Sequence, residues 1–209
     1  MANTGYPVNL NIDYPDRALN RLTTLLRIFT VIPIAIIIWL IAGPSMSWGA
    51  HLGSWRYGIG TASILFLPTL LMILFQQKYP KWWFDWNVNI TKFSSRVMTY
   101  FSLLTDVYPS TDEEQSVHIE LPYPDVKKDV KHWMPLVKWF LAIPHYVVLW
   151  FLAIAVIVCL VIAWFAILFT GKFPRGIFDF VVGFSRWTLR VTAYAFILLT
   201  DKYPPFSLE

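Results

Sequence analysis

Long apolar runs dominate the chain and alternate with shorter polar stretches. In the first half, residues 28–42 and 59–75 are apolar, and a segment rich in Gly, Ser and Trp at residues 43–58 separates them. A helix rises about 1.5 Å per residue, so each run covers most of a hydrocarbon core about 30 Å thick. The pattern predicts two short hydrophobic helices that traverse a membrane.

A longer apolar run, residues 139–169, follows in the second half, with His145 as its only readily ionisable side chain. One interpretation is a single helix kinked at Pro144; the other is a hairpin of two short helices that turns at residues 153–156. Sixteen of the 17 Lys and Arg residues lie outside segment 43–58, which fits cytoplasmic flanks and favours the hairpin. We therefore expect a multi-pass protein of the bacterial cytoplasmic (inner) membrane, with both termini cytoplasmic.

Composition supports this placement. Hydrophobic residues make up 56% of the 209 positions and charged residues only 14%, with a mean hydropathy of +0.52, which nearly excludes a water-soluble globule. The single cysteine, Cys159, lies in the longest apolar run and has no partner for an intramolecular disulfide. A net charge of +4 favours membrane lipids, anionic ones in particular, as partners; we expect no nucleic acid.

Strand periodicity precedes each apolar region. Residues 8–12 and 117–121 alternate apolar and polar side chains, as a half-buried strand does. Two such strands can pair into a small ribbon at the membrane surface.

A segment of about 25 residues after each apolar region is apolar overall but carries polar positions three or four residues apart. These positions are Lys81, Asp85, Asn89, Lys92, Arg96 and Tyr100, and then Arg175, Asp179, Gly183, Arg186, Arg190 and Tyr194. The spacing predicts an amphipathic helix with one polar stripe. Such a helix suits the membrane interface, with basic residues toward lipid headgroups. The alternatives are a stripe packed on the protein itself and a membrane span with inward-facing charges.

These elements recur in the same order, since residues 6–109 and 115–204 follow one plan. Both copies close with the pattern LLTDxYP, at residues 103–109 and 198–204. We divide the chain into a first repeat at 1–110, an acidic linker at 111–116 and a second repeat at 117–209. The predicted fold is an all-α membrane protein: a tandem repeat of a short helical hairpin plus an amphipathic interfacial helix, with a short surface strand before each hairpin.

The run FTGKFPRGIFDFVVGFSRWTLRVTAYAFILLTDKYPPFSLE at residues 169–209, with AIPHYVVLWFLA at 142–153, resembles a bacterial integral-membrane family known only as a domain of unknown function. The resemblance covers nearly the whole chain in a two-copy form. The first copy departs from the pattern, since Ile34 stands where the second has His145. The resemblance implies no activity.

No nucleotide-binding, metalloprotease or nucleophile-elbow motif occurs in the chain, so we do not expect an enzyme or a bound metal. His145 is a possible ligand of a haem or pigment, or a hydrogen-bond partner of a quinone; the simpler interpretation is a side chain that bonds a carbonyl freed by Pro144 or reaches the membrane interface.

The first functional hypothesis is a non-catalytic accessory subunit of a larger membrane complex. The second is a protein that binds anionic lipid or a hydrophobic ligand, and the third is a small channel or carrier. Six basic residues are the predicted contacts to lipid headgroups or to a partner: Lys81, Lys92, Arg96, Arg175, Arg186 and Arg190.

Overall fold

The computed structural model describes residues 6–15, 18–42, 46–47, 58–59, 61–111, 113, 115–126, 130–131 and 133–209, with side chains throughout except at 39–42, 46–47, 58–59 and 61–66. Within these ranges the chain forms six helices: α1 (Arg21–Ala42), α2 (Thr61–Gln76), α3 (Lys81–Phe101), α4 (Met134–Leu141), α5 (Ile143–Thr170) and α6 (Arg175–Ala195). It also forms four short strands: β1 (Asn9–Ile12), β2 (Met46–Ser47), β3 (Gly58–Ile59) and β4 (Val117–Glu120).

The two hydrophobic helices predicted in the first half are confirmed as α1 and α2. Helix α1 begins earlier than its apolar run because Asn20 caps it, its side-chain oxygen accepting the Leu22 N–H at 2.9 Å. Most of the predicted connecting segment lies outside the described residues. At its two ends β2 and β3 pair antiparallel, with Met46 opposite Ile59.

The predicted hairpin in the second half is wrong. Helix α5 runs without interruption through residues 153–156, and the break falls earlier, at Ala142 between α4 and α5. Residues 145–170 contain neither Gly nor Pro, so nothing stops the helix. Pro144 lies in the first turn of α5, where a missing N–H costs nothing. The helix ends at Gly171, which adopts a left-handed φ of 73°.

The two predicted strands pair with each other, as their alternation suggested. Strands β1 and β4 run antiparallel, with Leu10 opposite Ile119 and Asn9 opposite Glu120. Leu10, Ile12, Val117 and Ile119 are buried on one face of this ribbon. The other face carries polar side chains, so the ribbon covers the core with a single sheet layer.

The two predicted amphipathic helices are α3 and α6, and they pack on the apolar face of the ribbon. Helix α6 contacts β1 and α3 contacts β4, so each helix packs on the strand from the other half of the chain. Helix α3 also packs on α1. A three-residue connection after Gly171 turns the chain so that α6 runs back along α5.

Two described helices contain a stretch long and apolar enough to cross a membrane, Arg21–Ile38 and Ile143–Thr170. Only 17% of each stretch is buried inside the protein. Helix α5 packs through one narrow stripe, which comprises His145, Leu149, Val156, Ala163 and Ile167. The remainder of its apolar surface is uncovered, as is usual for a helix that contacts lipid and unusual for the core helix of a soluble protein.

Candidate functional site

A buried ion pair ties the start of α1 to the segment after α3. The Arg27 side chain is 3% exposed and pairs with Asp106. Its guanidinium also donates to the backbone carbonyls of Tyr100 and Thr105, at 2.5 and 2.6 Å, and lies 4.2 Å from the centre of the Tyr100 ring. The second oxygen of Asp106 accepts the backbone N–H of Asn20 at 2.6 Å. One carboxylate therefore holds both the helix start and its buried cation.

A second ion pair has the same kinds of partner in the second half. The Lys138 side chain is 0% exposed, and its ammonium lies 2.9 Å from Asp201 and donates to the Thr200 carbonyl at 2.9 Å. It lies 5.2 Å from the centre of the Tyr194 ring, and Asp201 accepts the Lys131 N–H at 2.7 Å. Burial lowers the pKa of the Lys138 ammonium, and the Asp201 carboxylate opposes that shift.

The LLTDxYP pattern positions both carboxylates. Its first leucines, Leu103 and Leu198, have left-handed φ values of 65° and 59° while their side chains are buried. After each of these leucines, the next backbone N–H bonds back to a carbonyl of the helix. The Leu104 N–H, for example, donates to the Thr99 carbonyl at 3.1 Å. The pattern is therefore a helix-ending turn that brings Asp to a buried cation. Sequence reasoning found the repeated pattern but missed this role, although Arg27 and Lys138 recur at matching positions.

Much of the charged stripe of α6 is covered by the chain's own C-terminal tail. Arg186 donates through Nε to the Leu10 carbonyl at 3.0 Å and through Nη1 to the Leu208 carbonyl at 3.3 Å. Arg190 is buried and donates to the Ser207 carbonyl at 3.4 Å. Gly183 leaves room for the tail, since a Cβ there would lie 2.7 Å from the Leu208 carbonyl oxygen.

The other predicted headgroup contacts divide into buried and exposed residues. Arg96 is buried and donates to the Ser110 carbonyl at 3.1 Å, in the chain that follows α3. Lys81 and Arg175 are exposed in the first turns of α3 and α6, and Lys92 is partly exposed. Arg175 also lies over the Tyr14 ring, 4.4 Å from its centre.

His145 is 0% exposed and packs where α5, α6 and the tail meet. Its Nδ1 accepts the indole N–H of Trp187 at 3.0 Å, and its ring stacks on Phe206 with centres 3.9 Å apart. Because Nδ1 accepts, a neutral imidazole carries its proton on Nε2 and has no lone pair there for a metal. Haem ligation through Nε2 would therefore require the Trp187 bond to break. Nε2 has no hydrogen-bond partner among the described residues.

The predicted carbonyl partner for His145 is not what the structure shows, since the imidazole bonds an indole 42 residues away in sequence. Periodicity within one segment cannot reveal a partner on another helix. Among the described residues, no group of three or more His, Cys, Asp or Glu is placed to hold a metal ion.

A cleft of about 310 Å³ separates the middle of α3 from the middle of α6. Leu10 and Ile12 from the buried face of the ribbon line its base. Both helices line the walls with apolar side chains, Ile90, Met98, Phe184 and Leu189, and with seven hydroxyl side chains: Thr91, Ser94, Ser95, Thr99, Ser185, Thr188 and Thr192. Their spacing in the sequence indicated no role for these hydroxyls.

No curated protein and no solved structure matches the chain. Residues 133–207 match the model of a family described as a domain of unknown function, DUF4389. The match covers about a third of the chain and includes α4, α5, α6, both members of the Lys138–Asp201 pair and the His145 contacts. The expected resemblance to a family of unknown function is thus confirmed over these residues.

Proposed function

We propose that the chain is an integral protein of the bacterial cytoplasmic membrane and serves as a non-catalytic accessory subunit of a larger membrane complex. The uncovered apolar surface of α5 carries this proposal. Twelve large apolar side chains there are exposed: Ile143, Val147, Val148, Trp150, Phe151, Ile154, Ile157, Val158, Val161, Ile162, Phe165 and Phe169. A surface this extensive suits acyl chains and the helices of a membrane partner.

The use of the polar groups supports a structural role. Arg27 and Lys138 are paired with the carboxylates that end α3 and α6, and Arg186 bonds backbone carbonyls of β1 and the tail. His145 bonds an indole. These groups hold the chain's own segments together, which is what we expect of a scaffold.

Within each half, the segment after the last helix returns to the start of the first helix. Asp106, after α3, contacts Asn20 and Arg27 at the start of α1. Asp201, after α6, contacts Lys131 and Lys138 beside α4. In the second half the chain thus runs back to the start of α5 through α6, and not through the second arm of the predicted hairpin. We propose that both termini are cytoplasmic, on the side of most basic residues.

We also propose that the two halves are copies of one structural unit, residues 1–110 and 117–209, joined by a linker at 111–116. The matched ion pairs support this, and so does the ribbon. When Val8, Leu10 and Ile12 are matched to Val117, Ile119 and Leu121, Leu10 lies opposite Ile119, its own counterpart, as expected at a two-fold axis.

Two tyrosines supply a further symmetric pair of contacts. The Tyr14 hydroxyl donates to the Phe173 carbonyl at 2.6 Å, and the Tyr123 hydroxyl donates to the Tyr79 carbonyl. Tyr14 and Tyr123 are counterparts in sequence, as are Tyr79 and Phe173, so each half donates to the other. Such reciprocal contacts are typical of an interface between like units.

Co-purification tests the accessory role. The chain is extracted from native membranes in a mild detergent, and we expect another membrane protein to elute with it at fixed stoichiometry. Ile157→Trp and Val158→Trp form a matched pair, because both positions are exposed and lie about 100° apart around α5. A partner that packs on one face should be lost with one variant and retained with the other. A protein that always elutes alone would contradict the proposal.

Binding of anionic lipid is the second candidate function, and the first turns of α3 and α6 favour it. Neither turn contains an acidic residue, and each presents an exposed cation, Lys81 or Arg175. Trp82 is 69% exposed beside Lys81, as suits the headgroup region. Native mass spectrometry in mixed micelles should show preferential retention of phosphatidylglycerol over phosphatidylcholine. Lys81→Gln with Arg175→Gln should remove the preference, and equal retention by the unmodified protein would contradict this function.

A further inference from the structure

The cleft between α3 and α6 combines three properties: a small volume, no charge and an excess of hydrogen-bond acceptors. None of its lining residues is charged, and its volume of about 310 Å³ is at the lower end of small-molecule sites. Leu10 and Ile12 close its base with apolar surface. A group that enters the cleft must therefore be small and uncharged, because an ion without a counter-charge would lose its hydration uncompensated.

Five of the seven wall hydroxyls are already committed as donors. Thr91, Thr99, Ser185, Thr188 and Thr192 each donate to the backbone carbonyl four residues earlier, at 2.8 to 2.9 Å. A hydroxyl has one proton and two lone pairs, so these five groups have only acceptor capacity left. The complementary ligand carries hydrogen-bond donors.

We propose that this cleft binds the headgroup of an uncharged, hydroxyl-bearing lipid of the monoacylglycerol type. Its hydroxyls would donate to the wall oxygens, and its acyl chain would leave the cleft toward the bilayer. A helix of a partner protein is the less suitable occupant, since its backbone N–H groups are bonded internally and would leave the wall acceptors unused. The proposal rests on membrane placement but not on an accessory role.

Photo-crosslinking tests the proposal on the full chain in lipid nanodiscs. The probe is a monoacylglycerol with a diazirine in its acyl chain near the headgroup, and labelled peptides are located by mass spectrometry. We expect labels on the α3 and α6 segments that line the cleft. Unlabelled monoacylglycerol should compete, whereas phosphatidylglycerol, which is charged, and hexadecane, which has no donor, should not.

Three variants separate hydrogen bonding from shape. Ser185→Phe fills the cleft and should reduce labelling at least tenfold. Thr188→Val keeps the side-chain shape and removes one acceptor, so we expect a loss of about fivefold, the equivalent of one hydrogen bond. Thr111→Val, at an exposed position outside the cleft, should change nothing. Circular dichroism melting curves establish that each variant is folded.

Labels spread evenly over the apolar surface would overturn the proposal. So would equal competition by phosphatidylglycerol or hexadecane. Because a pure nanodisc contains no partner, this result is independent of co-purification. Flotation with liposomes checks membrane placement separately, so failure of that premise can be told from failure of the cleft.

Discussion

The apolar segments of the two halves form different helices: two helices in the first half, and one long helix after a short one in the second. In the first half α1 ends at Ala42, directly before Gly43 and Pro44, and the next described helix begins at Thr61. In the second half α5 continues for 28 residues because no Gly or Pro interrupts it. A Gly–Pro pair follows the end of α1, whereas the single prolines Pro33 and Pro68 lie inside continuous helices, so neither the length of an apolar run nor one proline decides whether it divides.

The halves also hold their buried carboxylates with different cations. Arg27 donates to two carbonyls in addition to its pairing with Asp106, whereas Lys138 donates to one. A guanidinium stays protonated at any accessible pH, while a buried ammonium can lose its proton. The two ion pairs should therefore respond differently to the loss of the carboxylate.

Removing either carboxylate should have the largest effect. Asp106→Asn leaves Arg27 buried without its counter-ion and should cost about 3–5 kcal/mol of unfolding free energy, measured by denaturation in detergent micelles. Asp201→Asn should cost less at high pH, because Lys138 can then fold uncharged. Its folded pKa lies below that of the unfolded chain, so stability should rise as pH increases toward about 10.

The Asp106→Asn variant should show no such recovery in the same pH range. Replacing both partners in the second half, with Lys138→Met and Asp201→Leu, should restore part of the lost stability. Identical pH profiles for the two single variants would contradict the assigned difference between the halves.

The C-terminal tail gives the next largest effect. Gly183→Ala should displace Leu208 and cost about 1–3 kcal/mol, because the added Cβ would overlap its carbonyl oxygen. Gly176→Ala is the matched control on the same helix, since nothing lies within 4 Å of its Cβ position. The control should be neutral or stabilise by up to about 1 kcal/mol. Equal destabilisation by both substitutions would exclude close packing of the tail as the cause.

Removing the hydrogen bond to His145 should lower the unfolding free energy by a similar or smaller amount. This bond has no counterpart in the first half, which has Ile34 at that position. Trp187→Phe leaves the buried Nδ1 without its donor and should cost about 1–3 kcal/mol. Nitrogen chemical shifts of the imidazole should show the proton on Nε2 in the unmodified protein and a mixture in the variant. Trp82→Phe, at an exposed position, should change neither quantity. A proton on Nδ1 in the unmodified protein would rule out the assigned bond.

The symmetric tyrosine contacts should give equal and smaller effects. Tyr14→Phe and Tyr123→Phe each remove one hydrogen bond between the halves and should cost about 1 kcal/mol. The double variant should show the sum of the two losses if the contacts act independently. A marked inequality between the single variants would count against the two-fold relation.

The smallest effect at neutral pH concerns Tyr6, whose buried hydroxyl has no partner among the described residues. Burial raises the pKa of Tyr6 well above its ordinary value near 10, so the unfolded chain ionises first and stability falls as pH rises above about 10. Tyr6→Phe should be neutral within about 0.5 kcal/mol at pH 7 and should lessen the alkaline loss. Denaturation at pH 7 and pH 10.5 checks this, and an unchanged alkaline loss would assign it to other groups.

Much of the fold follows from local pattern, and the roles of the polar residues do not. Alternation located β1 and β4, and helical spacing located α3 and α6 with their polar stripes. The same spacing could not tell a stripe that faces lipid from one covered by a tail. Arg96 and Arg190 are buried against chain segments that follow their helices, and only the folded path of the chain brings those carbonyls within reach.

By itself, the sequence determined the periodic features: the apolar runs, the alternating strands, the amphipathic helices and the places where Gly and Pro end them. These depend on residues within a few positions of each other, and backbone geometry converts their spacing directly into faces. The tertiary structure alone decided which cation each aspartate meets, which indole fixes the His145 tautomer and where a cleft remains open. Those outcomes join residues from about 40 to over 170 positions apart, and only the packing of whole elements brings such groups within a few ångströms.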